Sequence, residues 1–177
     1  MRLPNFHSIP IAREKGFSLI EVLVALLVLS IGLLGLAALQ TTSLKYNTDS
    51  YTRTQATLLA YDIMDRMRSN LTGVSAGNYS VSASTAPSKI AAYNSCKNSA
   101  SGCGCDLTGA NCSTSNLATY DLGKWYERLA ATLPEASTNL ATISTSSSGS
   151  STQVIITIRW KDRDLLTPKS HTWTAEL

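Results

Sequence analysis

The chain has 177 residues and a net charge of +3, from 15 Lys and Arg against 12 Asp and Glu. That length gives room for one medium domain and a membrane helix. The charge is no footprint for nucleic acid, which calls for a clustered basic patch, so no nucleic acid is expected as a partner. Part of the positive charge sits in the first 16 residues, where Arg2, Arg13 and Lys15 face only Glu14.

The next segment is apolar. From Phe17 to Leu39 the only polar side chains are Ser18, Glu21 and Ser30. A helix over that stretch is about 34 Å long at ~1.5 Å per residue. A bilayer core is about 30 Å thick, so residues 17–39 suffice for one transmembrane crossing. The basic flank predicts a cytoplasmic N-terminus and a periplasmic C-terminal part. A secretory signal peptide needs a shorter apolar core, about 7–15 residues, then small residues at a cleavage site. Ala37 and Ala38 supply the small residues, but the apolar run is too long. A plain signal anchor accounts for length and charge and gives no reason for Glu21. A charge at the midplane of a span costs roughly 2.5–3.5 kcal/mol, less near its end, so Glu21 is read as functional.

The run Lys15-Gly16-Phe17-Ser18-Leu19-Ile20-Glu21 resembles the class III signal of type IV pilins and type II secretion pseudopilins. Leader, glycine, aromatic, acid and span occur in that order. With the apolar run through Leu36, the segment is most similar to minor pilins of the PilV family. The resemblance covers about the first third of the chain. It implies cleavage by prepilin peptidase between Gly16 and Phe17, and N-methylation of Phe17 by the same enzyme. It also implies that Glu21 pairs with the α-amine of a neighbouring subunit's Phe17. Buried opposite charges offset each other's desolvation only when close and well oriented, so such a pair sets register. The implied partners are prepilin peptidase, other minor pilins, the major pilin and the inner-membrane pilus assembly machinery. The implied location is the inner membrane, then the pilus.

The first helix is expected over residues 17–70. Ala56, Leu59, Ala60, Ile63 and Met67 share one helical face. Asp62 and Arg66 lie four apart on another face, close enough for mutual support. The polar stretch 45–55 is where a break would fall. Gly32 and Gly35 lie in the span, each costing about 1 kcal/mol against Ala. Major pilins often carry a proline later in the span; here there is none. Gly73 and Gly77 end the helical pattern.

Residues 79–85 alternate weakly and read as a strand. Residues 120–133 read as a helix, with Leu122, Trp125, Tyr126, Leu129 and Leu133 on one face, Asp121 near its start and Pro134 as its stop. Residues 144–152 are rich in Ser, Thr and Gly and read as a flexible loop. From 154 the period becomes two: Val154, Ile156, Ile158 and Trp160 oppose Ile155, Thr157 and Arg159. Residues 161–164 are a polar turn. Residues 171–177 form the partner strand, with Trp173, Ala175 and Leu177 on one side. The expected class is α+β: a long N-terminal helix on a small antiparallel sheet, within a periplasmic or extracellular pilin-like domain over 71–177.

Cys96, Cys103, Cys105 and Cys112 lie in a Gly/Ser/Asn-rich stretch. Their spacing fits paired zinc ligands poorly. Outside the cytoplasm disulfides persist, so two bridges are favoured over a metal. Cys96–Cys103 with Cys105–Cys112, or Cys96–Cys105 with Cys103–Cys112, both satisfy the spacing; the nested pairing is disfavoured by its tight inner ring. The histidines, His7 and His171, belong to no recognisable catalytic set, and Asp162 and Asp164 read as a solvated turn. No catalytic residue, metal or cofactor is expected. Three functions are carried forward: a minor pilin that helps initiate pilus assembly and twitching motility, with a place at the pilus tip; a type II secretion pseudopilin; and a membrane-anchored periplasmic binding protein or enzyme.

Overall fold

The computed structural model describes residues 16–98, 103, 105, 112–134, 140–149, 151–161 and 168–177. The leader, with Arg2, His7, Arg13, Glu14 and Lys15, lies outside the described residues, as do Asp162, Arg163 and Asp164. The chain divides into two units, Met1–Tyr46 and Asn47–Leu177.

Helix α1 is Leu19–Ser69. Its part in the first unit is exposed throughout. Hydroxyls there bond back into their own helix: Ser30 Oγ donates to the Leu26 carbonyl at 2.7 Å, and Thr41 Oγ1 to Ala37 at 3.0 Å. Such back-bonding satisfies a hydroxyl where water is absent. The same device operates at 45–55, where Thr52 Oγ1 donates to Thr48 at 2.9 Å and Thr54 Oγ1 to Ser50 at 2.9 Å. The break considered there does not occur.

In the second unit α1 buries Ala56, Leu59, Ala60, Ile63, Met64 and Met67. Asn70 stops it. Its backbone leaves the helical region at φ −133°, and its side chain accepts from the Gly73 N–H at 3.2 Å, starting the short helix α2, Leu71–Ser75. A Cβ on Gly73 would lie 2.5 Å from the Asn70 amide nitrogen, so this turn requires glycine. Gly77 then adopts φ +73°, the left-handed conformation that glycine takes at no cost.

The strand expected at 79–85 is reduced to a single bridge, Val81 with Ile143. Ser82 and Thr85 instead close a turn, with Ser82 N–H donating to Thr85 Oγ1 at 2.8 Å. That turn leads into α3, Ala86–Lys97, which carries a proline in its first turn. Helix α4, Thr114–Thr132, begins earlier than expected. Its N-cap is Ser113, whose hydroxyl accepts from Asn116 N–H at 3.1 Å. Asp121 is therefore interior to the helix rather than at its start.

The sheet is antiparallel in the order β1-β2-β3: Ala141–Ser148, Ser151–Trp160 and Lys169–Glu176. The loop expected at 144–152 is corrected by this hairpin, since Ser144 to Ser148 pair with Ile155 to Ser151. Gly149, at φ +64°, serves the turn. Val154, Ile156, Ile158 and Trp160 are buried, and Trp173, Ala175 and Leu177 pack half-buried beside them. They share one core with Ile143, the α1 residues and Leu122, Trp125 and Leu129 of α4. The fold is a long apolar N-terminal helix with a small three-stranded antiparallel sheet, α+β as expected.

Candidate functional site

Gly16, Phe17 and Ser18 precede α1 in non-helical backbone. The Ser18 carbonyl opens the helix, accepting from Glu21 N–H at 3.0 Å and Val22 N–H at 3.3 Å. A Cβ on Gly16 would meet nothing within 4 Å. The fold itself thus makes no demand for glycine at that position. Phe17 is 84 % exposed.

Glu21 stands in the first turn of α1, where the helix dipole favours a carboxylate. It has no ion-pair or side-chain hydrogen-bond partner among the described residues. A shallow groove along this face is lined by Phe17, Glu21, Val22, Ala25, Leu26 and Leu29. Those positions follow one another at steps of four, one and three, so they share one helical face. The carboxylate is thus the polar group at the head of an apolar stripe. The large side chains from Leu19 to Leu39 are all roughly half exposed or more. Each such side chain left in water forgoes about 1.5–3 kcal/mol, so the stripe needs lipid or protein to cover it. By length and composition α1 is sufficient to cross a membrane.

In the second unit, Cys96 is bonded to Cys103 and Cys105 to Cys112. Of the two pairings left open by spacing, the structure has the sequential one. Cys96 lies in the last turn of α3, and Cys112 immediately precedes the α4 cap. The bridges therefore tether the connection between these helices at both ends. His171 packs on Trp173 of β3 with ring centroids 4.6 Å apart.

A buried polar cluster was not anticipated. Tyr79 OH donates to Asp121 Oδ2 at 2.7 Å, and Arg66 Nη1 to Asp121 Oδ1 at 3.0 Å. Asn70 Nδ2 donates to Tyr79 Oη at 3.1 Å and to the Thr114 carbonyl at 2.8 Å. Arg66 Nε also reaches Asp62 at 3.3 Å, the pair four apart in sequence, and Arg128 Nη1 reaches Asp62 at 3.0 Å. The end of α1, the start of α2, Tyr79 and α4 are thereby locked together. Burial pushes the Tyr79 phenol well above its usual pKa, with the Asp121 hydrogen bond acting in the same direction. Burial alone pushes Tyr126 up likewise. For Arg66 burial pulls downward, but the bonds to Asp121 and Asp62 outweigh it. One signal for this cluster was present in the sequence. Asp121 falls four residues before Trp125, on the apolar face of α4.

Comparison with known families bears on both regions. Residues 11–37 match the model described as the prokaryotic N-terminal methylation motif. Residues 38–123 match the Tt1218-like model, described as type IV pilin Tt1218. The two matches abut and together span more than half of the chain. The matches support a type IV pilin with a prepilin methylation motif. It is a structural subunit and not an enzyme. The methylation-motif match includes Gly16, Phe17 and Glu21; the pilin match includes all four cysteines and Asp121. No curated protein and no solved structure matches the chain.

Proposed function

We propose that this pilin is a minor subunit of PilV type that helps initiate pilus assembly and so supports twitching motility. Prepilin peptidase cuts between Gly16 and Phe17 at the cytoplasmic face and methylates the new amine. The mature chain is held in the inner membrane by residues 17–39, with residues 71–177 in the periplasm. It then passes into the pilus with other minor pilins and the major pilin, at or near the tip.

The observation that carries this reading is Glu21. It heads an exposed apolar stripe, four residues after Phe17, inside the matched methylation motif, with no partner in its own described chain. An uncompensated carboxylate in lipid is costly, and the α-amine released at Phe17 is a cation of the right charge on the next subunit. The match to a type IV pilin model supports a pilus over a secretion pseudopilus. Deleting the gene tests the role: loss of surface pili and twitching is expected, restored by the wild-type chain. Intact piliation with failed protein secretion would point to a pseudopilin instead.

A further inference from the structure

We propose that a cavity between α1 and one end of the sheet binds a hydroxylated carboxylate of about monosaccharide size, a uronic acid being the type. The cavity measures about 420 Å³ and is lined by Asp49, Arg53, Trp160, Lys169, Ser170 and His171. That volume lies within the range of small-molecule pockets. All six residues belong to the second unit. Asp49 and Arg53 stand four apart on α1 and so project from one side of the helix. The β2–β3 register sets Lys169 opposite Trp160 and His171 opposite Ile158. Side chains alternate along a strand, so Trp160, Lys169 and His171 turn to the same face of the sheet as buried Ile158. Ser170 completes the wall between them.

Two donors on this wall lack an acceptor among the described residues. Trp160 is 5 % exposed, and its Nε1 is buried with no hydrogen-bond partner. A buried indole N–H normally finds one. Trp125 does so, donating from Nε1 to the Leu59 carbonyl at 2.8 Å. The second donor is Arg53, which is exposed and whose guanidinium makes no hydrogen bond or ion pair among the described residues. The acid of the wall is already held, since Lys169 Nζ donates to Asp49 Oδ1 at 2.5 Å.

Charge and donor geometry select the ligand. Arg53 and Lys169 face Asp49 alone on this wall, an excess of one positive charge. A monoanion balances that excess, whereas a dianion overshoots it and meets the Asp49 carboxylate. A planar carboxylate also accepts both arms of a guanidinium fork, and such charge-assisted bonds are stronger than neutral ones. Arg53 therefore holds the carboxylate, and the Trp160 N–H supplies a further donor to it. The rest of the wall suits hydroxyl groups. Asp49 keeps acceptor capacity beyond its bond to Lys169. The His171 imidazole rests edgewise on Trp173 and makes no hydrogen bond among the described residues. A carboxylate with hydroxyls beside it uses all of these groups at once.

The test titrates the full-length, detergent-solubilised chain with glucuronate and follows the indole N–H resonances by NMR. Trp160→Phe deletes one of these signals and so assigns it. Glucuronate should move the Trp160 signal to lower field and saturate with a Kd of about 1 mM or below, while the Trp125 signal stays in place. Glucose and inorganic phosphate should bind at least about tenfold more weakly, and Arg53→Gln should weaken glucuronate by as much. If Arg53→Gln unfolds, Arg53→Lys keeps the charge without the fork and should still weaken binding. A short oligouronate locates the source: equal affinity points to the free acid and tighter binding to a polysaccharide end, and either supports the site. No saturable shift, equal binding of glucose or phosphate, or affinity untouched by the Arg53 variants would overturn the proposal. So would binding seen only after Asp162→Asn with Asp164→Asn, since the chain's own acids would then be the natural occupants. None of these outcomes depends on cleavage at Phe17, so the pilin reading stands or falls separately.

Discussion

The phenol of Tyr79 donates a 2.7 Å hydrogen bond to Asp121 Oδ2 inside the core, tying the segment after α2 to the middle of α4. Asp121 is 4 % exposed and also holds Arg66 of α1. Three elements distant in sequence thus meet on one carboxylate. Asp121→Ala leaves a buried phenol and a guanidinium without their acceptor. A loss of about 2–3 kcal/mol is expected, below the roughly 3–5 kcal/mol of a fully buried pair because Arg66 reaches solvent. Asp121→Asn, which keeps an acceptor for Tyr79, should cost less. Denaturant unfolding of the detergent-solubilised protein checks the order; equal stability of wild type and Asp121→Ala would refute it.

Alkaline conditions probe the same core. Tyr79 and Tyr126 both have folded-state pKa values above their ordinary value of 10.0. The unfolded chain releases these protons first, so stability is full below about pH 10 and falls as pH rises beyond it. Phenolate absorbance should show two tyrosines ionising only with unfolding. Tyr126→Phe should flatten the alkaline fall in stability, at the cost of the bond to the Ala141 carbonyl. An unaltered slope would contradict the assignment.

Gly123 is a close-approach glycine. A Cβ there would lie 1.9 Å from Cγ of the Tyr93 ring, so α3 and α4 meet with no room for a methyl group. Gly123→Ala should destabilise by about 1–3 kcal/mol, the usual cost of overpacking. Combining it with Tyr93→Ala should cost less than the sum of the two single changes, because the clash is then gone. Strict additivity in a double-mutant cycle would show that the contact is not the cause.

Glu21→Ala concerns assembly rather than folding. Glu21 makes no side-chain contact within the described chain, so the variant should insert, be cleaved and fold as wild type. Its recovery in sheared pili should fall about tenfold or more, the scale of one well-placed ion pair worth 1.4 kcal/mol or above. Glu21→Gln should fall nearly as far, since it keeps shape but loses charge. Normal recovery of both would remove Glu21 from assembly.

What the sequence could show followed from period and length. The apolar run, the Leu59/Ile63/Met67 stripe, the α4 face and the alternation at Val154–Trp160 each repeat one residue class often enough to reveal an element. β1 did not, because Ser144 to Ser148 hide its pairing behind a loop-like composition; its partners in β2 supply the apolar half. α3 has no clear apolar period, since it buries only Ala86 and Tyr93. The end of α1 at Asn70 and the role of Asp121 depend on contacts 9 to 55 residues away, which no local window contains. At the N-terminus the opposite holds. In the proposed function Gly16, Phe17 and Glu21 act through an enzyme and a neighbouring subunit, so their meaning would lie in the motif more than in this chain's own contacts.

The most direct test is N-terminal sequencing with mass measurement of the protein isolated from cells that contain prepilin peptidase. The account requires a chain that begins at N-methylated Phe17, shorter by the first 16 residues. A chain that keeps its leader, or begins beyond Ala37 as a cleaved signal peptide would leave it, contradicts the account.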